Sequence, residues 1–152
     1  MSYHGYDREG LDNQYNMRNR HPEWEAFFTK WTDWSKEVRG RRPCRLGVQY
    51  GASAGEQLDI FPAADLGAPI HVFIHGGYWQ NMSKDDFSYV VDGLWDPRIA
   101  VIVLDYALAP AADIDAIVQQ CRAALAWVWR QAKSFSGARD RIYVSGHSAG
   151  AH

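Results

Sequence analysis

The chain has no long hydrophobic run. None of its apolar stretches approaches the ~18 residues that read as a membrane span, and Met1 is followed by Ser-Tyr-His-Gly-Tyr-Asp-Arg, so no secretory leader is expected. It has little cysteine. Cys44 and Cys121 stand alone, without the spacing of a metal site, and read as reduced thiols of a cytoplasmic protein. It also lacks a strong charge of either sign. A formal net charge of -2 with both signs interspersed supports neither nucleic-acid nor anionic-membrane binding. Internal repeats, low-complexity tracts and metal-ligand spacings are missing as well, so no metal or cofactor is expected.

What is present is a core. Apolar residues make up 47% and aromatics 14% of 152 residues, enough for one globular domain. Residues 1 to 20 are polar and mixed in charge, and read as an extended arm. A helix is expected from about Pro22 to Arg39, stopped by Gly40. Its Trp24, Phe27, Phe28, Trp31 and Val38 recur at helical spacing. That stripe reads as a face packed on the domain rather than as a ligand shelf. Residues 1–40 thus form an arm and an amphipathic helix, and 41–152 the main domain.

Arg45 to Tyr50 and Gln57 to Phe61 flank a glycine-bounded turn and read as a hairpin. Ile70 to Ile74 and Ile99 to Leu104 are nearly continuous apolar runs, as in strands covered on both faces. Between them Ser83 caps a helix with Asp86 three residues on, and Phe87, Val90, Val91 and Leu94 give it an apolar face. A longer helix from about Asp113 to Lys133 places Ile114, Ile117, Val118, Cys121, Leu125 and Val128 on one side. Arg141 to Ser145 is the last strand. Strands alternating with amphipathic helices imply an α/β fold with a mostly parallel sheet covered on both faces. Functional residues in such sheets gather at the carboxyl ends of the strands.

Two glycine-bearing stretches lie at such ends. Gly146-His147-Ser148-Ala149-Gly150 fits G-x-S-x-G, a strand-to-helix turn that lifts a serine above the sheet. A side chain at Gly146 or Gly150 would strike neighbouring backbone. His75-Gly76-Gly77-Tyr78-Trp79 follows the first buried strand. The pair fits acyl transfer: Ser148 as nucleophile, with the N–H groups of Ala149, Gly77 and Tyr78 as donors to a developing oxyanion. His75 reads as a brace for that loop and Asp105 as structural. His147 is expected to pack or point away, and His152 to pack beneath the site. A base and an acid for Ser148 are expected beyond residue 152, so these residues alone should show little turnover.

H-G-G-Y-W paired with G-H-S-A-G-A-H resembles the α/β-hydrolase fold enzymes, specifically the arylformamidase (kynurenine formamidase) branch of the esterase/lipase group. Leu11 to Asn16, Tyr50-Gly51 with Glu56 to Phe61, and Asp105 to Pro110 resemble other segments of that branch. The resemblance implies the N-terminal portion of a longer serine hydrolase without cofactor, truncated after the elbow. Ser148 would cleave N-formylkynurenine to kynurenine and formate in tryptophan catabolism, with Gly77, Tyr78 and Ala149 holding the oxyanion. Tyr78 and Trp79 could line a slot for the aryl ring. The expected partner is a small aryl formamide or ester, with homodimerisation left open. A carboxylesterase of small acyl esters and a non-catalytic binding module are the other two readings.

Overall fold

A computed structural model describes residues 3–94 and 96–152. The first two residues of the expected arm lie outside these. Five strands form one mixed sheet: β1 (Arg45–Gln49), β2 (Gln57–Phe61), β3 (Ala68–Ile74), β4 (Ala100–Leu104) and β5 (Gly137–Gly146). Their spatial order is β1-β2-β4-β3-β5. The β1–β2 hairpin is antiparallel, as its glycine-bounded turn requires, and β2 runs antiparallel to β4. β3 is parallel to both β4 and β5. This is the α/β-hydrolase arrangement implied by the sequence.

The two sides of the sheet carry separate clusters. Ile70, Val72, Ile102 and Leu104 pack with Ala124 and Val128 of helix α5 (Ile114–Gln131). Phe73, Val101 and Val103 pack on the other side with Val38 of helix α3 (Trp24–Arg41) and with Phe87 and Val91. All five residues of β4 are buried. At about 1.5–3 kcal/mol for each large aliphatic side chain, this strand anchors both layers.

Several local expectations are corrected. The N-terminal arm is helical rather than extended, in α1 (Arg8–Tyr15) and α2 (Met17–Arg20). Each has an N-cap: the Asp7 carboxylate accepts from Gly10 N–H at 2.8 Å, and the Asn16 side-chain amide oxygen (Oδ1) from Arg18 N–H at 3.1 Å. Helix α3 begins at Trp24, not Pro22, and passes through Gly40. Its last turn is held from outside. Arg39 donates to Ser88 Oγ at 3.1 Å, and Arg41 and Arg42 pair with Asp92. Phe27, counted in the packed stripe, is exposed.

The helix after Ser83 is not continuous. Ser83 and Asp86 do form a capping box, but only over a 3-10 turn, Lys84–Asp86, followed by the single turn α4 (Val90–Gly93). The cause is tertiary. Tyr89 N–H donates to Ser35 Oγ of α3 at 3.1 Å, which diverts it from a helical ladder. Lys84 turns inward to Asp59, 3.2 Å away. On α5, Ile117 and Val128 are buried as expected, whereas Ile114 and Val118 are exposed. Among the described residues no helix is long and apolar enough to cross a membrane.

Candidate active site

Strand register builds the site. Ile74, the last residue of β3, pairs with Gly146, the last residue of β5, and with Leu104, the last residue of β4. The next residues of all three strands therefore emerge side by side: His75, His147 and Asp105. His147 N–H donates to the Ile74 carbonyl at 3.1 Å and continues the pairing one step into the loops.

The elbow has the geometry that its glycines suggest. Ser148 has φ 51°, in the left-handed region that non-glycine residues avoid. A Cβ on Gly146 would collide with the carbonyl of Gly150, and one on Gly150 with the carbonyl of Ile74. Ser148–Gly150 form a 3-10 turn. The loop after β3 is equally constrained. Gly77 has φ 118°, and a Cβ there would collide with the Asn81 carbonyl. The turn closes through the Gly77 carbonyl, which accepts from Gln80 N–H at 3.1 Å and Asn81 N–H at 3.0 Å. Tyr78, Trp79 and Met82 also have positive φ. Such conformations cost on the order of 1–3 kcal/mol each and concentrate at functional sites.

The two loops touch. A Cβ on Gly76 would stand 3.1 Å from Ser148 Cβ and 2.7 Å from the His147 carbonyl oxygen. His75 braces the loop from below. It is fully buried, its Nε2 lies 2.9 Å from Asp105 Oδ1, and its Nδ1 lies 2.6 Å from the Gly76 carbonyl oxygen. The Tyr106 ring stacks on it with centroids 4.3 Å apart, and the Tyr106 hydroxyl donates to the His75 carbonyl at 2.8 Å. Burial pushes that hydroxyl's pKa well above the usual tyrosine range.

Ser148 opens into a cleft of about 520 Å³. Its walls include Trp24, Phe28 and Trp31 of α3, with Arg18 and Tyr78 at its edge. The aromatic stripe is thus more than packing. Trp31 rests on Phe87 and Tyr89 and also faces the cleft. Arg18 lies over the Trp24 ring at 4.5 Å. Sequence reading missed it, because a polar arm shows nothing of what it folds against. A larger cavity of about 700 Å³, around Trp129 and Lys133, lies at the opposite end of the strands near Gly137. It is lined by no residue of either glycine loop.

The remaining expectations divide. Tyr78 lines the Ser148 cleft, but Trp79 does not. It borders a cavity of about 300 Å³ on the α5 side, with Ile117, Val118 and Ala149. His152 is exposed and meets Trp79 edge-on at 5.2 Å, instead of packing beneath the site. His147 meets the rings of Trp31 and Phe87, but it is exposed and lines the Ser148 cleft rather than pointing away from it. Among the described residues no histidine or carboxylate hydrogen-bonds the Ser148 hydroxyl, and no cluster of three metal-ligating side chains is found.

Comparison with known proteins agrees with this geometry. The BD-FAE family profile matches residues 58–152, from β2 through the elbow. The chain belongs to that family. The BD-FAE match thus covers both glycine loops and the strands that align them. Kynurenine formamidase of Salmo salar is 33% identical over 130 residues, covering 84% of this chain and 43% of the relative. A probable isoprenylcysteine alpha-carbonyl methylesterase of Arabidopsis thaliana is 33% identical over 110 residues, covering 71% of this chain and 26% of the relative. The crystal structure of a protein from Silicibacter sp. superposes with a TM-score of 0.79 at 28% identity, over 92% of this chain and 52% of that one. The BD-FAE chain spans less than half the length of these two curated relatives.

Proposed function

We propose that this protein, in its full-length form, is a serine hydrolase that cleaves an aryl formamide, N-formylkynurenine, to kynurenine and formate, a step of tryptophan catabolism. The observation that carries the reading is the close approach of Gly76 to Ser148, which leaves no room for a side chain between the two glycine loops. The Ser148 hydroxyl adds to the formyl carbon as its proton passes to a base. The N–H groups of Gly77, Tyr78 and Ala149 receive the oxyanion. Collapse breaks the C–N bond, and the aniline nitrogen leaves with a proton. Water then releases formate from the Ser148 ester. Each well-placed oxyanion donor supplies roughly 3 kcal/mol.

A formyl group needs almost no room, so a cleft of about 520 Å³ is space for the leaving group. Trp24, Phe28 and Trp31 offer aromatic faces to an aryl ring, and Arg18 offers a cation to a carboxylate. A carboxylesterase of small acyl esters is the second reading, favoured by the similarity to a methylesterase at equal identity. Turnover of N-formylkynurenine against p-nitrophenyl acetate separates them. A clear preference for the ester overturns the formamidase reading. Labelling of Ser148 by a fluorophosphonate in the full-length protein tests the enzyme against a non-catalytic binding module, and no labelling there favours the module.

A further inference from the structure

Both ring nitrogens of buried His75 face oxygens, one a peptide carbonyl that can only accept and the other a carboxylate oxygen. Nδ1 lies 2.6 Å from the carbonyl of Gly76, and Nε2 lies 2.9 Å from Asp105 Oδ1. That same carboxylate oxygen accepts from Tyr106 N–H at 3.2 Å. A neutral imidazole has a single N–H and would set a ring lone pair against one of these oxygens. Turning the ring over would point carbons at both and leave the Gly76 carbonyl without this donor.

We propose that His75 is held as an imidazolium whose charge acts through the Gly76–Gly77 peptide to strengthen the Gly77 N–H as a donor. The carbonyl that accepts from Nδ1 and the N–H of Gly77 belong to one peptide unit. A charge-assisted bond to the oxygen draws electron density toward it and leaves the N–H more positive. The buried charge is tolerated because Asp105 pairs with it, and an unpaired one would be costly. Tyr106 and Phe87 stack on its faces. The other titratable groups near this network are His147, across Gly76, and Tyr50, whose hydroxyl donates to the Asp105 carbonyl at 2.8 Å. His75 is therefore a positioning residue. It holds the loop and tunes one donor, and the catalytic half of the proposal rests on the reading of Gly77 as part of an oxyanion site.

The protonation half is tested without any substrate. In protein labelled with 15N-histidine at neutral pH, His75 is expected to show two ring nitrogens that each carry a proton. Asp105→Asn is expected to turn one of them into an unprotonated nitrogen, which also assigns the signals. One protonated and one bare nitrogen for His75 in the unaltered protein overturns the proposal, whether or not Asp105→Asn folds. On a hydrolysed substrate, Asp105→Asn is expected to lower kcat roughly tenfold with KM little changed, less than the loss of a whole donor. Tyr106→Phe removes the hydroxyl brace but keeps the ion pair. An equal kcat loss in both variants would assign the effect to loop packing and overturn the polarising role. Failure of Ser148 to label would remove the hydrolase reading while leaving the His75 spectrum to stand or fall by itself.

Discussion

Gly76 and Ser148 approach so closely, across two loops that leave different strands, that no side chain fits at Gly76. A methyl group at Gly76 would stand 3.1 Å from Ser148 Cβ, 2.9 Å from His147 Nδ1 and 2.7 Å from the His147 carbonyl oxygen. A backbone carbonyl cannot step aside as a flexible side chain can. Gly76→Ala is therefore expected to push the loops apart. The rate of fluorophosphonate labelling should fall by roughly 10- to 100-fold, since a displacement of about 1 Å at a reacting centre has that effect. An unchanged rate would show that the contact does not matter to the site.

The strain at Ser148 makes a second prediction. A serine at φ 51° carries a conformational cost that glycine does not. Ser148→Gly should leave the fold at least as stable, with a gain of up to about 1 kcal/mol in denaturant unfolding, while abolishing labelling. A clearly destabilised variant would mean that the serine side chain makes stabilising contacts that outweigh its strain.

Two glycines should respond in opposite directions to the same substitution. A Cβ at Gly150 would strike the carbonyls of Ile74 and His75, so Gly150→Ala should cost about 1–3 kcal/mol. Gly40 lies inside α3 with nothing within 4 Å of the added carbon. Gly40→Ala should stabilise by about 0.5–1 kcal/mol. A loss at Gly40 would indicate that the helix stops there after all.

Asp92 gives the pH dependence a sign. Burial opposes its ionisation, but hydrogen bonds from Trp34 and Arg42 and the charges of Arg41 and Arg42 outweigh that, and hold its carboxyl below the usual aspartate range. A depressed pKa in the folded state means that the unfolded chain binds the proton first on acidification. The stabilisation is full above the ordinary aspartate pKa of about 3.9 and is lost as pH falls through the lower folded value. The melting-temperature difference between the unaltered protein and Asp92→Asn should be largest at neutral pH and shrink below about pH 4. A difference constant with pH would remove the ion pairs as its cause.

The cleft wall is tested by Trp24→Ala. Trp24 is partly exposed and borders the cleft, so its loss should leave the fold intact. KM for an aryl formamide should rise about tenfold, the equivalent of about 1.4 kcal/mol, with a smaller effect on a short alkyl ester. Equal effects on both substrates would place the aryl group elsewhere.

Residues 70–74 and 100–104 were legible as strands because buried strands are short apolar runs between turn signals, and 57–61 because a glycine-bounded turn pairs it with the strand before it. Both glycine loops were legible for a similar reason: a turn needing glycine at Gly77 or Gly146 is a local steric demand that chain order records. The arm was misread because Asp7 and Asn16 cap helices with no apolar stripe to announce them. The broken helix after Ser83 was misread because the interruption comes from Ser35, on another helix. Periodicity could not say whether Trp24, Phe28 and Trp31 cover a core or a cleft, since both uses need the same spacing.

By itself, then, the sequence determined the strands, the nucleophile turn and the glycine loop, all set by residues close in the chain. Only the tertiary structure decided that Ile74, Leu104 and Gly146 end in register. That register sets Asp105 against His75, brings Gly76 onto Ser148 and opens the aromatic face of α3 toward the serine. Those relationships join residues far apart in the chain, and they exist only once strand pairing has chosen which ends meet.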